Sequence, residues 1–224
     1  MLVEIPGILN RAQLDKIDQI LGQSEFVDGK LSAGAAARRV KYNQELKKTP
    51  GPMELLVRIL VSSLSHNAAF NGAAFPLQIS EPIFARYQPG MNYGDHVDDP
   101  IMGRSGPKLR SDISMTVFLR DPESYEGGEL VIRTPFGNQY VKLAAGHGVI
   151  YPSSSLHRVA EVTSGERVVA LLWIQSLVRD PAKRELLFEL NRAREHLLQA
   201  SPEAESTHQV DRSFVNLFRL WSEV

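Results

Sequence analysis

The feature that most constrains the fold is the stretch from Pro76 to Val178, where short strand-like runs alternate with turns. The turns carry Pro89-Gly90, Gly127-Gly128 and Ser164-Gly165, residue types that favour tight turns. The predicted strands span residues 82–88, 92–98, 112–120, 128–134, 138–143, 147–152, 157–162 and 166–178. Closely spaced strands without intervening helical patterns are typical of a β-sandwich or a jelly roll.

Helical patterns flank this β-rich stretch on both sides. Asn10 can cap a first helix, and residues 53–64 predict a second. Asp180-Pro181 is a typical helix start, and two apolar stripes at helical spacing follow it: Leu186, Leu190, Ala193 and Leu197, then Phe214, Leu217, Phe218 and Trp221. We therefore expect an N-terminal helical support (1–75), a jelly-roll core (76–179) and a C-terminal helical appendage (180–224) that stabilises the chain or joins it into a homo-oligomer.

Composition argues against several functional classes. The chain has no cysteine, so disulfides and thiolate metal sites are excluded and any metal must use His, Asp or Glu. Lys and Arg number 25 against 26 Asp and Glu, which disfavours nucleic acid and membrane surfaces as partners. The N-terminus lacks a signal-peptide pattern, and the uncharged run 59–80 is too polar to span a membrane. We expect a soluble cytoplasmic protein.

A His-x-Asp unit, His96 and Asp98, indicates a metal site. Alternate residues of an extended segment point to the same side, so both side chains can reach one ion. His157, at the start of a later predicted strand, can supply a third ligand. Two His and one carboxylate form the facial triad of non-haem Fe(II) oxygenases. The alternation turns the neighbouring Asp95 and Asp99 away from this site.

Arg167 follows His157 by ten residues, across the predicted turn at 163–165. The two residues can therefore lie on neighbouring antiparallel strands and face one cavity. A guanidinium matches a carboxylate in a bidentate manner, and 2-oxoglutarate has a distal carboxylate that needs such a partner. Tyr87 is a second candidate contact for this molecule. Octahedral iron would then take three protein ligands, two atoms of the 2-oxo acid, and O2.

These motifs carry a family resemblance. Tyr87-x-x-Gly90, His96-x-Asp98, His157 and Arg167 resemble the prolyl 4-hydroxylase-type branch of the Fe(II)/2-oxoglutarate dioxygenases, and bacterial PKHD-type hydroxylases more closely. The likeness extends over Lys41-x-Asn43-Gln44, Gly127-Gly128-Glu129-Leu130, residues 151–157 and Trp173-Ile174-Gln175-Ser176.

The resemblance implies a double-stranded β-helix, a jelly-roll variant, that binds Fe(II), 2-oxoglutarate and O2, with ascorbate as a reductant. It implies decarboxylation of 2-oxoglutarate to succinate coupled to hydroxylation of a substrate. Some members of the family are linked to bacterial iron uptake.

Three further features concern the surroundings of the site. Phe118 stands where some eukaryotic relatives have a tyrosine that helps to hold 2-oxoglutarate, which would place more of the binding on Arg167. Lys41, Asn43 and Gln44 belong either to a solvated basic loop or to the mouth of the site, in contact with substrate. Residues 99–111, rich in glycine and proline, are expected to form a substrate loop or lid.

Two other functions remain open from the sequence. One is a sensor that binds iron or 2-oxoglutarate without turnover, although such a sensor needs no open oxygen position. The other is a nucleic-acid demethylase of the same superfamily, which the near-neutral charge disfavours. The sequence leaves the substrate itself unassigned, either a small molecule or a peptidyl side chain.

Overall fold

The computed structural model describes residues 1–35, 37–103 and 108–224. The helices of this part of the chain are α1 (Arg11–Gly22), α2 (Pro52–Ser65), α3 (Ala68–Ala74), α4 (Pro181–Ala200) and α5 (Glu205–Trp221). Its strands are β1 (Val3–Ile5), β2 (Phe26–Asp28), β3 (Lys41–Tyr42), β4 (Gln44–Leu46), β5 (Pro76–Ile79), β6 (Ile83–Tyr87), β7 (Asn92–His96), β8 (Ile101–Met102), β9 (Leu109–Arg110), β10 (Ile113–Phe118), β11 (Tyr125–Gly127), β12 (Leu130–Thr134), β13 (Gly137–Val141), β14 (Gly148–Pro152), β15 (His157–Val159), β16 (Val162–Gly165) and β17 (Arg167–Ser176).

Side-chain caps fix the helix starts that the sequence predicts. Asn10 accepts from the backbone N–H of Gln13, whose side chain in turn accepts from the Asn10 N–H, which is a capping box. The Asp180 carboxylate caps α4 by accepting from the N–H groups of Ala182 and Lys183. The short helix α3, capped by Asn67, was not predicted.

Two facing antiparallel sheets form the core. The larger has the order β1-β14-β10-β17-β6-β4-β2, with β5 also paired to β17, and the smaller has the order β13-β12-β15-β7-β3. The chain passes repeatedly from one sheet to the other, as in a double-stranded β-helix. The predicted mainly β fold with flanking helices is confirmed.

The long strand β17 shows how the larger sheet packs against the helices on one face and against the smaller sheet on the other. Val168, Ala170, Leu172 and Ile174 pack in the apolar cluster shared with α1, α2 and α3. The alternate positions, Arg167, Val169, Leu171 and Trp173, lie on the side of the smaller sheet. Successive strand residues point to opposite faces. One face of β17 therefore packs against the helices, and the other borders the cavity between the two sheets.

Three sequence-based expectations need correction. Residues 1–75 hold strands β1 to β4 as well as helices, so this segment helps to build both sheets; the domain boundaries themselves stay predictions. In α4, Leu186 is 61% exposed and Leu187 is 0% exposed, so the predicted stripe is wrong at Leu186, whereas its member Leu190 packs in the apolar cluster of the tail. Helix α5 begins at Glu205, inside the predicted polar break.

The second stripe of the tail is confirmed. Phe214, with Leu217, Phe218 and Trp221 beside it, packs with Phe75, Val178 and Leu187. The tail therefore covers the end of the larger sheet and α3. A homo-oligomer formed through these helices stays a prediction.

Residues 104–107 of the predicted 99–111 lid lie outside the described residues. Within its described flanks, β8 and β9 pair antiparallel. Each helix described by the structure is too short or too polar to cross a membrane.

Candidate metal centre

Two neighbouring strands bring the predicted ligands together. His96 ends β7, His157 begins β15, and the two residues are directly paired across the ladder. Asp98 follows two residues after His96. One donor atom from each of these residues lies within 4.8 Å of the other two. The structure thus places His96, Asp98 and His157 in the arrangement that the His-x-Asp pattern predicts.

Backbone carbonyls orient both imidazoles. Nδ1 of His96 lies 2.8 Å from the carbonyl oxygen of Gly94, and Nδ1 of His157 lies 3.0 Å from that of Ser155. Because a carbonyl oxygen only accepts, each Nδ1 carries the proton and each Nε2 keeps a free lone pair. These Nε2 atoms lie 3.8 and 3.9 Å from Oδ1 of Asp98. Outer hydrogen bonds of this kind fix the tautomer of metal-binding histidines.

The Asp98 carboxylate is held on its other oxygen. Oδ2 accepts hydrogen bonds from the Ser114 hydroxyl and, at 2.9 Å, from Nε1 of Trp173. Because the one hydroxyl hydrogen of Ser114 is donated to Asp98, Ser114 accepts from the Ser153 hydroxyl at 2.8 Å. Oδ1 is therefore left to face the two imidazoles. Ser114 and Trp173 were not predicted, although their even spacing from Phe118 and Arg167 on β10 and β17 places them on the inward face.

The electrostatics keep the donors ready for a cation. Burial, reinforced by the neighbouring His157, lowers the pKa of His96 to about 4 against the opposing effect of Asp98. Its imidazole is therefore neutral near pH 7, the state in which Nε2 can bind a metal. Tyr93 stacks on the His96 ring at 3.6 Å between centroids and limits its rotation. Two imidazoles and one carboxylate grouped in this way fit a facial triad for Fe(II).

Arg167 is the other unusual group of the site. It begins β17, opposite Tyr87 of β6, and is only 1% exposed. None of its side-chain nitrogens has a hydrogen-bond partner within the described residues. Its guanidinium carbon lies 5.0 Å from the Tyr87 ring centroid and 5.6 Å from that of Phe118. Burying an unpaired charge costs on the order of several kcal/mol, so this cation is suited to an anionic ligand.

Both groups open into one cavity of about 660 Å³. Its wall includes the three triad residues, Arg167 and Tyr87. This volume lies within the range of small-molecule sites, roughly 300–1,000 Å³. Burial raises the pKa of Tyr87 to about 12 despite the opposing charge of Arg167, so the Tyr87 hydroxyl keeps its proton and can donate a hydrogen bond to an anion.

The residues predicted to contact substrate separate into two groups. Lys41 lines the cavity and forms a buried ion pair with Glu45, while its Nζ also donates to Ser32 at 3.0 Å. Asn43 is buried beside Tyr87, and Gln44 accepts from Nε of Arg86 at 2.7 Å. Of these three residues, Lys41 is the one that lines the described cavity, and a substrate contact of any of them stays a prediction.

The acidic neighbours of the triad differ in their surroundings. Asp95 pairs with Arg133 at the surface. Asp99 is exposed, lies near Gly34, and is among the residues that line the cavity of the triad. Neither belongs to the group of residues that can share one metal ion within the described chain.

Comparison with known proteins agrees with this geometry. Residues 82–175 match the model of the 2OG-Fe(II) oxygenase superfamily. The chain is 50% identical over 224 residues to the PKHD-type hydroxylase Tgr7_2199 of Thioalkalivibrio sulfidiphilus, and 42% identical over 227 residues to the PKHD-type hydroxylase YbiX of Shigella dysenteriae serotype 1. Each match covers 100% of both chains.

Solved structures share the fold at low sequence identity. A Trichoplax adhaerens prolyl hydroxylase, in complex with a hypoxia inducible factor oxygen degradation domain peptide fragment, superimposes with a TM-score of 0.60 at 16% identity and covers 83% of this chain and 86% of its own. A Pseudomonas putida prolyl-4-hydroxylase gives 0.57 at 18% identity, covering 78% and 92%. Because relatives at 42–50% sequence identity match this chain over its full length, the chain belongs to the PKHD-type hydroxylases of the 2OG-Fe(II) oxygenase superfamily.

Proposed function

We propose that this hydroxylase binds one Fe(II) through His96, Asp98 and His157 and uses 2-oxoglutarate and O2 to hydroxylate a substrate held in the same cavity. Together the bound iron, 2-oxoglutarate and O2 supply the oxidant for an unactivated C–H bond, with succinate and CO2 as the other products. The protein supplies binding, orientation and exclusion of water.

The observation that carries this proposal is the unpaired, buried guanidinium of Arg167 on the wall of the triad's cavity. Arg167 would bind the distal carboxylate of 2-oxoglutarate as a fork, with the Tyr87 hydroxyl as a donor beside it. The aromatic rings of Tyr87 and Phe118 pack beside the guanidinium and would restrict its orientation toward the cavity. A buried donor set without an internal acceptor is what a site for a dianionic co-substrate requires.

The substrate would occupy the part of the cavity nearer Lys41 and Glu45. This ion pair presents charge of both signs on a buried wall, and Lys41 lies 5.2 Å from the Tyr93 ring centroid. Tyr93 itself stacks on the ligand His96. A polar group of a small molecule or of a peptidyl side chain would meet Lys41 while its C–H bond lies near the triad.

The test is succinate production by the purified protein with Fe(II), 2-oxoglutarate and O2, in parallel with direct 2-oxoglutarate binding in the absence of O2. We expect the wild type to bind one 2-oxoglutarate and to form succinate, and Arg167→Ala to keep its iron while losing most 2-oxoglutarate affinity. Binding without any succinate, across a substrate screen for a mass shift of +16, would favour the sensor. Unchanged affinity in Arg167→Ala would refute the assigned anchor.

A need for ascorbate and a link to iron uptake rest on the family resemblance and stay predictions. A cytoplasmic location, expected from the composition and the N-terminal sequence, stays a prediction as well. The nucleic-acid demethylase alternative is disfavoured by the net charge of −1. Fe(II) titration with and without ascorbate during turnover addresses the first of these points.

A further inference from the structure

A second buried donor without a partner lies near Arg167. Tyr125 in β11 is 3% exposed, and its hydroxyl has no hydrogen-bond acceptor within the described residues, because the neighbouring guanidinium of Arg167 can only donate. The outer side of its ring is covered by Lys142, whose Nζ lies 4.1 Å from the ring centroid and donates to the Tyr125 carbonyl at 2.7 Å. A buried hydroxyl that finds no partner is uncommon in folded proteins and calls for a ligand.

The strand pairing fixes Tyr125 against the segment that leads into Arg167. Tyr125 is paired with Gly165, two residues before Arg167. A Cβ atom at Gly165 would lie 2.8 Å from Cα of Tyr125, closer than real Cβ contacts allow. The absence of a side chain at Gly165 therefore lets β11 approach the start of β17.

Gly128 marks the place where the two side chains meet. A Cβ atom at Gly128 would lie 3.1 Å from Cδ of Arg167 and 3.2 Å from Cε2 of Tyr125. Its φ of +67° also favours glycine. The Gly127-Gly128 pair, part of the family motif, thus makes room for Arg167 and Tyr125 to lie side by side.

The chemistry of this pair points to a shared acceptor. A guanidinium has only donors. Burial raises the pKa of the Tyr125 hydroxyl, although the charge of Arg167 opposes this effect, so the phenol keeps its proton near pH 7. Both neighbouring buried groups therefore present hydrogen-bond donors. An anion bound between them would supply the acceptor for both.

We infer that Tyr125 donates its hydroxyl hydrogen to the distal carboxylate of 2-oxoglutarate, together with Arg167. The inference rests on the proposed function. It also accounts for Phe118, whose ring faces the guanidinium but has no hydroxyl to offer. Tyr125 would supply, from another strand, the phenolic donor that Phe118 lacks.

The experiment compares two ligands and two variants without turnover. Mn(II)-loaded wild type, Tyr125→Phe and the control Tyr140→Phe, which changes a tyrosine that is 64% exposed, are titrated by calorimetry with 2-oxoglutarate and with 2-oxopentanoate. The second ligand keeps the 2-oxo acid group and lacks the distal carboxylate. Because hydrogen bonds to charged groups are strong, we expect Tyr125→Phe to weaken 2-oxoglutarate binding about tenfold or more. Binding of 2-oxopentanoate and of Mn(II) should not change.

The outcomes separate the inference from the function on which it rests. Equal 2-oxoglutarate affinity in wild type and Tyr125→Phe would overturn the role of Tyr125 alone. Equal weakening of both ligands would show a general packing role and would overturn it as well. A wild type that binds Mn(II) but neither ligand would refute the proposed function instead.

Discussion

Removing the indole hydrogen bond to Asp98 should weaken metal binding without removing a ligand. The change is Trp173→Phe, which keeps an aromatic ring on β17 and deletes the N–H that lies 2.9 Å from Oδ2. Without that bond, Ser114 is the one hydrogen-bond donor to Oδ2 of Asp98 that remains among the described residues. Its Oδ1 is then less strictly directed toward the imidazoles.

The magnitude follows from the charge of the acceptor. A hydrogen bond to a charged group contributes about 1.5–3 kcal/mol, and each 1.4 kcal/mol corresponds to a factor of ~10 in affinity. Mutations of the partners of metal ligands typically cost about 10–100-fold in metal affinity. Because the Ser114 bond remains, we expect the lower end of this range, about tenfold.

The assay is equilibrium Mn(II) or Fe(II) binding at pH 7 without O2. The matched control is Trp221→Phe, which changes the chain's other tryptophan, in α5 and far from the cavity in the apolar cluster of the tail. We expect the control to bind metal as the wild type does. Affinity within twofold of wild type for Trp173→Phe would refute the claim that the indole holds the Asp98 carboxylate in place.

Three further changes test other parts of the structure. Arg167→Lys should recover only part of the 2-oxoglutarate affinity lost in Arg167→Ala, since lysine lacks the planar fork; calorimetry measures this, and full recovery would argue against bidentate binding. Gly128→Ala should cost about 1–3 kcal/mol of unfolding free energy through backbone strain at positive φ and should also weaken 2-oxoglutarate binding; a wild-type denaturation midpoint would contradict it. Leu187→Ala should cost about 2–5 kcal/mol while one metal ion still binds per chain, whereas Leu186→Ala should lie within ~0.5 kcal/mol of wild type; equal effects would contradict the observed face of α4.

The triad could be predicted because it depends on local geometry. His96 and Asp98 are two residues apart, and strand alternation alone brings their side chains to one side. The expected placement of His157 and Arg167 on neighbouring strands joined by a turn was wrong, because β15 belongs to the smaller sheet, β17 to the larger, and Val162–Gly165 forms β16. The two residues nevertheless line one cavity, because the sheets that carry them face each other. The turn residues between Pro76 and Val178 predicted the fold class.

What the sequence did not reveal depends on distant pairing. The strands β1 to β4 have only two or three residues each and acquire their structure by joining sheets built elsewhere in the chain. The supports of Asp98 come from β10 and β17, which no local pattern connects to the His-x-Asp unit. Tyr125 reaches Arg167 only through the pairing of β11 with β16.

The face of α4 was misassigned for a different reason. Its buried side includes Arg184, which donates to the carbonyl of Val178 at 2.7 Å and is nearly fully buried. Arg194 lies on the same side, with its guanidinium carbon 5.2 Å from the Phe214 ring centroid. Long arginine side chains can cover apolar surface with their stems, so a stripe drawn through leucine and alanine alone finds Leu190 but misses the part of the buried face that the arginines form.

The most direct test of the central claim is the Fe(II) stoichiometry of Asp98→Ala, with Asp95→Ala as the matched control. Both variants remove one carboxylate from the same short segment, but Asp95 pairs with Arg133 at the surface, while Asp98 faces both imidazoles. Metal analysis under anaerobic conditions should give one Fe(II) per chain for the wild type and Asp95→Ala, and none for Asp98→Ala. Full iron occupancy in Asp98→Ala, or its loss in Asp95→Ala, would contradict the assignment of His96, Asp98 and His157 as the metal site.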